Sequence, residues 1–109
     1  MKLHDTKIAG LSRVPPELDL LDFTRCVELR YRWEDAVELT LRLANDDGVL
    51  ELRLTGIRSI RIMELTPWFW ISELAIEDGP EGIGFVVSEN DVPMVYCQQI
   101  ECVSFTASA

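Results

Sequence analysis

Three cysteines, Cys26, Cys97 and Cys102, and one histidine, His4, are the residues best suited to covalent or metal chemistry. A nucleophilic thiol needs a base within reach, and His4 is the only imidazole in the chain. Asp5 follows it, but neighbours along a strand point to opposite sides, so the two make no orienting pair there. Zinc ligands are too few, with no Cys-x-x-Cys pair to start a site. An odd number of thiols argues for free cysteines in a reducing compartment rather than a disulfide framework. Asn45-Asp46-Asp47-Gly48 resembles part of a calcium loop but lacks the ligand series and closing glutamate. The stretch "GPEGIG" has glycines but no following Lys-Ser/Thr and no helical pattern, so it is not a phosphate loop. The 19 acidic residues can be paired for acid–base work in too many ways to single out a pair. The expectation is a chain with no catalytic residues, no metal and no cofactor.

The surface is then left to act. The net charge of −9 comes from 19 acidic against 10 basic residues. Nucleic-acid binding draws its affinity from Lys and Arg on phosphates, so DNA, RNA and anionic lipid are excluded as expected partners. The same field steers a basic protein partner. The plainer alternative is acidity for solubility alone.

No apolar run approaches the ~18 residues of a membrane span. The opening "MKLHDTKIAG" carries charge where a signal peptide needs an apolar stretch, so a cytoplasmic location is expected. At 109 residues the chain reads as a single domain, 1–109, able to bury about two-thirds of its unfolded surface.

Alternation with period two dominates the elements that must position any site. "VELRYRW" sets Val27, Leu29, Tyr31 and Trp33 against Glu28, Arg30 and Arg32. "VELTLRL" sets Val37, Leu39, Leu41 and Leu43 against Glu38, Thr40 and Arg42. Glu34-Asp35-Ala36 between them predicts a bend. After the Asn45–Gly48 turn, Leu50, Leu52 and Leu54 alternate with Glu51 and Arg53, which predicts a hairpin. Thr55-Gly56 predicts a bulge or a second turn. "IRSIRIM" then predicts a further strand with Ile60 and Ile62 inward. Arg58 shares their parity, so it must sit at a strand end or near a carboxylate. "IGFVV" predicts a short strand, and "PMVYCQQIECVSF" one long strand or two short ones. In a single strand Cys97 and Cys102 would face opposite sides, being five apart. Pro15-Pro16-Glu17 could open a short helix through Leu21 or, equally, begin an irregular crossing, and Thr106 to Ala109 is expected to fray. The fold class expected is all-β: an antiparallel sandwich or partly closed barrel of about seven short strands, with at most one short N-terminal helix.

The stretch "TPWFWISELAIE" supplies the candidate surface. Pro67 breaks a ladder, and Glu73 and Glu77 mark the odd face of a following strand as wet. Trp70 is then expected inward, leaving Phe69 and Ile71 outside. With Glu73, Glu77, Asp78 and Glu81 nearby they would form an apolar spot with an acidic rim. Such a spot suits a basic protein or a second copy of the chain; the alternative is that Val14 to Phe23 covers it.

The order of features also resembles a known group. "LHD" at Leu3-His4-Asp5, a proline-containing crossing, "VELTLRL" with "GVLELRLTGIRSIRI", and the step Pro67-Trp68 are similar to small bacterial all-β proteins. Some of these are grouped with immunity proteins of polymorphic toxin systems. The resemblance spans Leu3 to Trp70. It implies a protein that binds and blocks a cognate toxin without catalysis, and it carries over no particular residue. The expected function is a non-enzymatic acidic binding protein of this kind. The alternatives are a homo-oligomeric structural or accessory subunit and, third, a ligand-binding or enzymatic β-barrel.

Overall fold

A computed structural model describes residues 7–19, 25–62, 70–80, 82–89 and 92–108. The described residues are almost all antiparallel β: β1 (Arg25–Arg32), β2 (Glu38–Asn45), β3 (Gly48–Ile60), β4 (Ile71–Gly79), β5 (Gly82–Glu89) and β6 (Val92–Ala107). They form one six-stranded sheet in the order β1-β2-β3-β6-β5-β4, so six strands stand where about seven were expected. Two up-and-down ribbons are joined through β3 and β6. Arg25 also bridges Trp70, the residue just before β4. The sheet therefore curls until its two outer strands touch at one point, a partly closed barrel rather than a sandwich.

The leucine alternation builds the core. Leu39, Leu41 and Leu43 of β2 face Leu54, Leu52 and Leu50 of β3, and all six are buried. Burying each of them contributes roughly 1.5–3 kcal/mol. Between β2 and β3 the Asn45 side chain closes the turn, accepting hydrogen bonds from the Asp47 and Gly48 amides at 2.8 and 3.1 Å. Asp46 and Asp47 are turn residues, as their composition predicted.

β3 does not stop at Gly56. The glycine takes φ 62°, and a Cβ there would lie 2.7 Å from the Gln98 Cβ of β6. Only glycine fits both the left-handed backbone and the close approach. Leu54 and Ile57, three apart, both pack on the one core, and so do Ile100 and Cys97 opposite them. Both strands thus change inward parity at the same level. That shift is why Cys97 and Cys102 are both buried although one strand holds them and they are five apart.

The N-terminal segment seals one side of the core. Ala9 pairs with β6 in parallel, its amide donating to Ile100 and its carbonyl accepting from Cys102. Ile8, Leu11, Val14 and Leu18 enter the core cluster from it. A 3-10 turn at Leu11–Arg13 precedes the prolines. Of the two readings of the proline segment, the described residues show the irregular crossing, with a turn at Pro16 and Glu17 and no helix. Nor do Thr106 and Ala107 fray: they pair with Val49 and Gly48, and the Ser108 amide donates to Asp47.

Charges alternate in sign over the outer face of β1, β2, β3 and the end of β6. Glu28 pairs with Arg30 and Arg42, and Arg42 also meets Glu51 at 3.8 Å. Arg53 meets Glu38 at 2.8 Å and Glu101 at 4.0 Å. Exposed to solvent and screened by salt, these pairs add far less than the leucines beneath them. Four carboxylates meet three guanidiniums in these pairs, so most of the chain's negative excess lies off this network.

Candidate functional site

The surface predicted around β4 is not assembled as expected. Phe69 and Glu81 lie outside the described residues, as does His4. Ile71, expected outside, is 4% exposed and belongs to the core, whereas Trp70, expected inward, is 38% exposed. A bulge is the cause. Ile71 faces Glu89 and Glu73 faces Ser88, which leaves Ser72 as an extra residue in β4. Its hydroxyl donates to the Ser88 carbonyl at 3.3 Å and holds the bulge in place. Beyond it the parity is reversed, so Ile71 shares a side with Leu74. Glu73 and Glu77 do share the outer face, with Ala75 between them, and Asp78 follows in the strand. Glu77 is bound by Arg58 at 2.7 Å. The acidic rim exists in part, but Ile71 is not at its centre.

The exposed apolar surface gathers on β1 instead. Val27, Tyr31, Trp33 and Val37 are exposed, and Trp33 is the most so at 68%. A bulge in β1 explains Val27. Cys26 faces Leu43 and Glu28 faces Arg42, so Val27 is the extra residue and turns outward. Leu29 and Tyr31, opposite Leu41 and Leu39, return to the inner side. Tyr31 still shows because β1 is the outer strand. Trp33 lies one residue past the strand, at the start of the Glu34–Ala36 bend.

The Tyr31 and Trp33 rings stand 5.2 Å apart with their planes at 31°. Beside them opens an apolar hollow of about 330 Å³ lined by Leu29, Tyr31, Leu39, Ile60 and Ile62. It forms because β3 runs on to Ile60, past Thr55, its last residue paired with β2. A second, smaller depression of about 230 Å³ lies between Tyr31, Arg32, Trp33 and Glu34. Tyr31 is the wall between the two. The sequence reading placed Trp33 inward with Leu29 and missed it. Its position at the end of an alternating run, directly before three poor strand formers, was the signal.

The thiols are unsuited to attack. Burial pushes Cys26 up to about 11 and Cys97 up to about 12, and it raises Cys102 as well. A thiol that keeps its proton at neutral pH is a weak nucleophile and a poor metal ligand. Among the described residues no three His, Cys, Asp or Glu side chains gather as a metal-binding set. Among them, too, no helix is long and apolar enough to cross a membrane.

No protein-family model matches the sequence, and no curated protein or solved structure matches it either.

Proposed function

We propose that this chain is a non-enzymatic acidic binding protein whose partner inserts an apolar side chain beside Tyr31 and Trp33. The observation that carries the reading is Trp33: a tryptophan 68% exposed, its ring 5.2 Å from that of Tyr31, which lines an apolar hollow. Exposed aromatic anchors beside a pocket are the usual energetic centres of interfaces. The charge of −9 favours a basic partner. In its specific form the proposal is an immunity protein that occupies and neutralises a cognate toxin, the role implied by the resemblance over Leu3 to Trp70.

The test is retention of a partner from the source cells by the wild-type chain and by Trp33→Ala, with Glu73→Gln as a control on another face. A partner held by the wild type and the control but lost by Trp33→Ala supports the reading. Identical capture by all three refutes it. The immunity form requires in addition that co-expression relieve the growth arrest caused by a toxin encoded beside this gene.

A second reading is self-association, favoured by the exposure of Tyr31 and Trp33 at the end of an outer strand. Light scattering separates the two, because a strict monomer at high micromolar concentration excludes this one.

A further inference from the structure

We propose that the partner's recognition element pairs its apolar anchor with an arginine or lysine, and that this cation lies on Trp33 between Glu34 and Asp35. The inference rests on the binding site proposed above and specifies its chemistry. Two adjoining depressions meet at Tyr31 and differ in character. One is apolar throughout, with Leu29, Leu39, Ile60 and Ile62 around Tyr31. The other is lined by Tyr31, Arg32, Trp33 and Glu34, so it joins two aromatic residues to charged ones. An indole face is the strongest aromatic partner for a cation, and tyrosine adds to it when the two rings are close. Here the ring centroids are 5.2 Å apart and tilted by 31°, an open wedge rather than a closed stack.

The charges around the wedge favour the same class of ligand. From Trp33 to Leu41 the sequence "WEDAVELTL" carries Glu34, Asp35 and Glu38 and no basic residue. Glu38 is already engaged by Arg53 at 2.8 Å, whereas Glu34 and Asp35 are exposed on the bend. Arg32 is the one cation lining the depression. It is the last residue of β1 and lies opposite Glu38 in the ladder, on the strand side of the depression. An incoming cation therefore has its open approach from the side of the bend, where both carboxylates are. The chequered face of β1 to β3 offers no comparable field. Nor does an acidic ligand fit, since it would meet two carboxylates for one guanidinium.

Blocked dipeptides test this directly: acetyl-Leu-Arg-amide, acetyl-Leu-Gln-amide and acetyl-Leu-Glu-amide, titrated to tens of millimolar against isotope-labelled protein. The Trp33 indole resonance, assigned by its loss in Trp33→Phe, is followed together with the Leu39 amide. The Arg peptide is expected to bind at least about fivefold more tightly than the Gln peptide, and the Glu peptide most weakly. The double variant Glu34→Gln/Asp35→Asn should bring the Arg and Gln peptides within about twofold, and Arg32→Gln should tighten the Arg peptide. Equal affinity for all three peptides overturns the cation site while leaving the apolar hollow intact. Failure of every peptide to move the Trp33 and Leu39 resonances overturns the cation site together with the reading on which it rests.

Discussion

Arg58 of β3 donates a 2.7 Å hydrogen bond to Glu77 of β4, although β6 and β5 lie between those strands in the sheet. The side chain reaches across because Gly84 of β5, directly opposite Glu77, leaves room for it. The Arg58 Nη2 would stand only 3.6 Å from a Cβ built at that glycine. A register irregularity between Ile57 and Ser59 frees Arg58 from the ladder and lets it turn this way. Of the two placements expected for Arg58, a strand end or a nearby carboxylate, the carboxylate is found, on a residue far from it in sequence.

The trough and the ion pair should differ in cost. Arg58 and Glu77 are both well exposed, so Arg58→Gln should lower stability by no more than about 1 kcal/mol. Gly84→Leu should cost more, about 1–3 kcal/mol, because its Cβ also meets the Cys97 carbonyl oxygen at 3.1 Å. Urea midpoints of the two variants decide the matter, and equal losses would refute the trough.

Gly56 should tolerate no side chain. Gly56→Ala forces a left-handed alanine against Gln98, at a cost of about 1–3 kcal/mol. Adding Gln98→Gly removes the clash but not the backbone strain, so the double variant should recover part of the loss on top of whatever Gln98→Gly costs alone. A double-mutant cycle with no coupling would show that the two strands do not press on each other there.

What could be read from the sequence follows from this distinction. The hairpin at Asn45–Gly48 and the inward leucines of β2 and β3 were legible, because turn chemistry and alternation are both written in residue type. The bulges at Val27 and Ser72 were not. Each adds one residue that no composition announces, and each reverses the parity of one stretch against the next. That single uncertainty exchanged the expected sides of Trp70 and Ile71. Parity across Gly56 changed in β3 and β6 together, with no residue added, which is why both Cys97 and Cys102 could be inward. Trp33 was missed because alternation counts sides and cannot tell where a strand has already ended.

Stability should fall in alkali through the thiols. In the fold Cys26 and Cys97 are pushed to about 11 and about 12 from an ordinary 9.0. The folded chain therefore holds protons that the unfolded chain releases above pH 9. The stabilisation is fully present below that pH and is lost as pH rises through the folded values. Urea midpoints should decline from pH 9 upward, less steeply in Cys97→Ala. A wild-type midpoint constant to pH 11 would contradict the burial assigned to these groups.

Trp33 and Leu39 should separate binding from folding. Trp33→Ala is expected to change stability by no more than about 0.5 kcal/mol, since the ring stands mainly in solvent. Leu39→Ala, fully buried beneath the hollow, should cost about 2–5 kcal/mol. Thermal melts of the two variants are the measurement, and a large loss in Trp33→Ala would recast that residue as part of the core.

β3 and β6 lie side by side at the middle of the sheet, yet the chain must make β4 and β5 before β6 exists. A nascent molecule that has reached Glu89 therefore holds two half-sheets, each with a bare interior border. The strand that joins them is the last of the six to leave the ribosome. Until it arrives, the leucine surfaces meant for the core are open to solvent and to other copies, so crowding during synthesis is a hazard this topology carries.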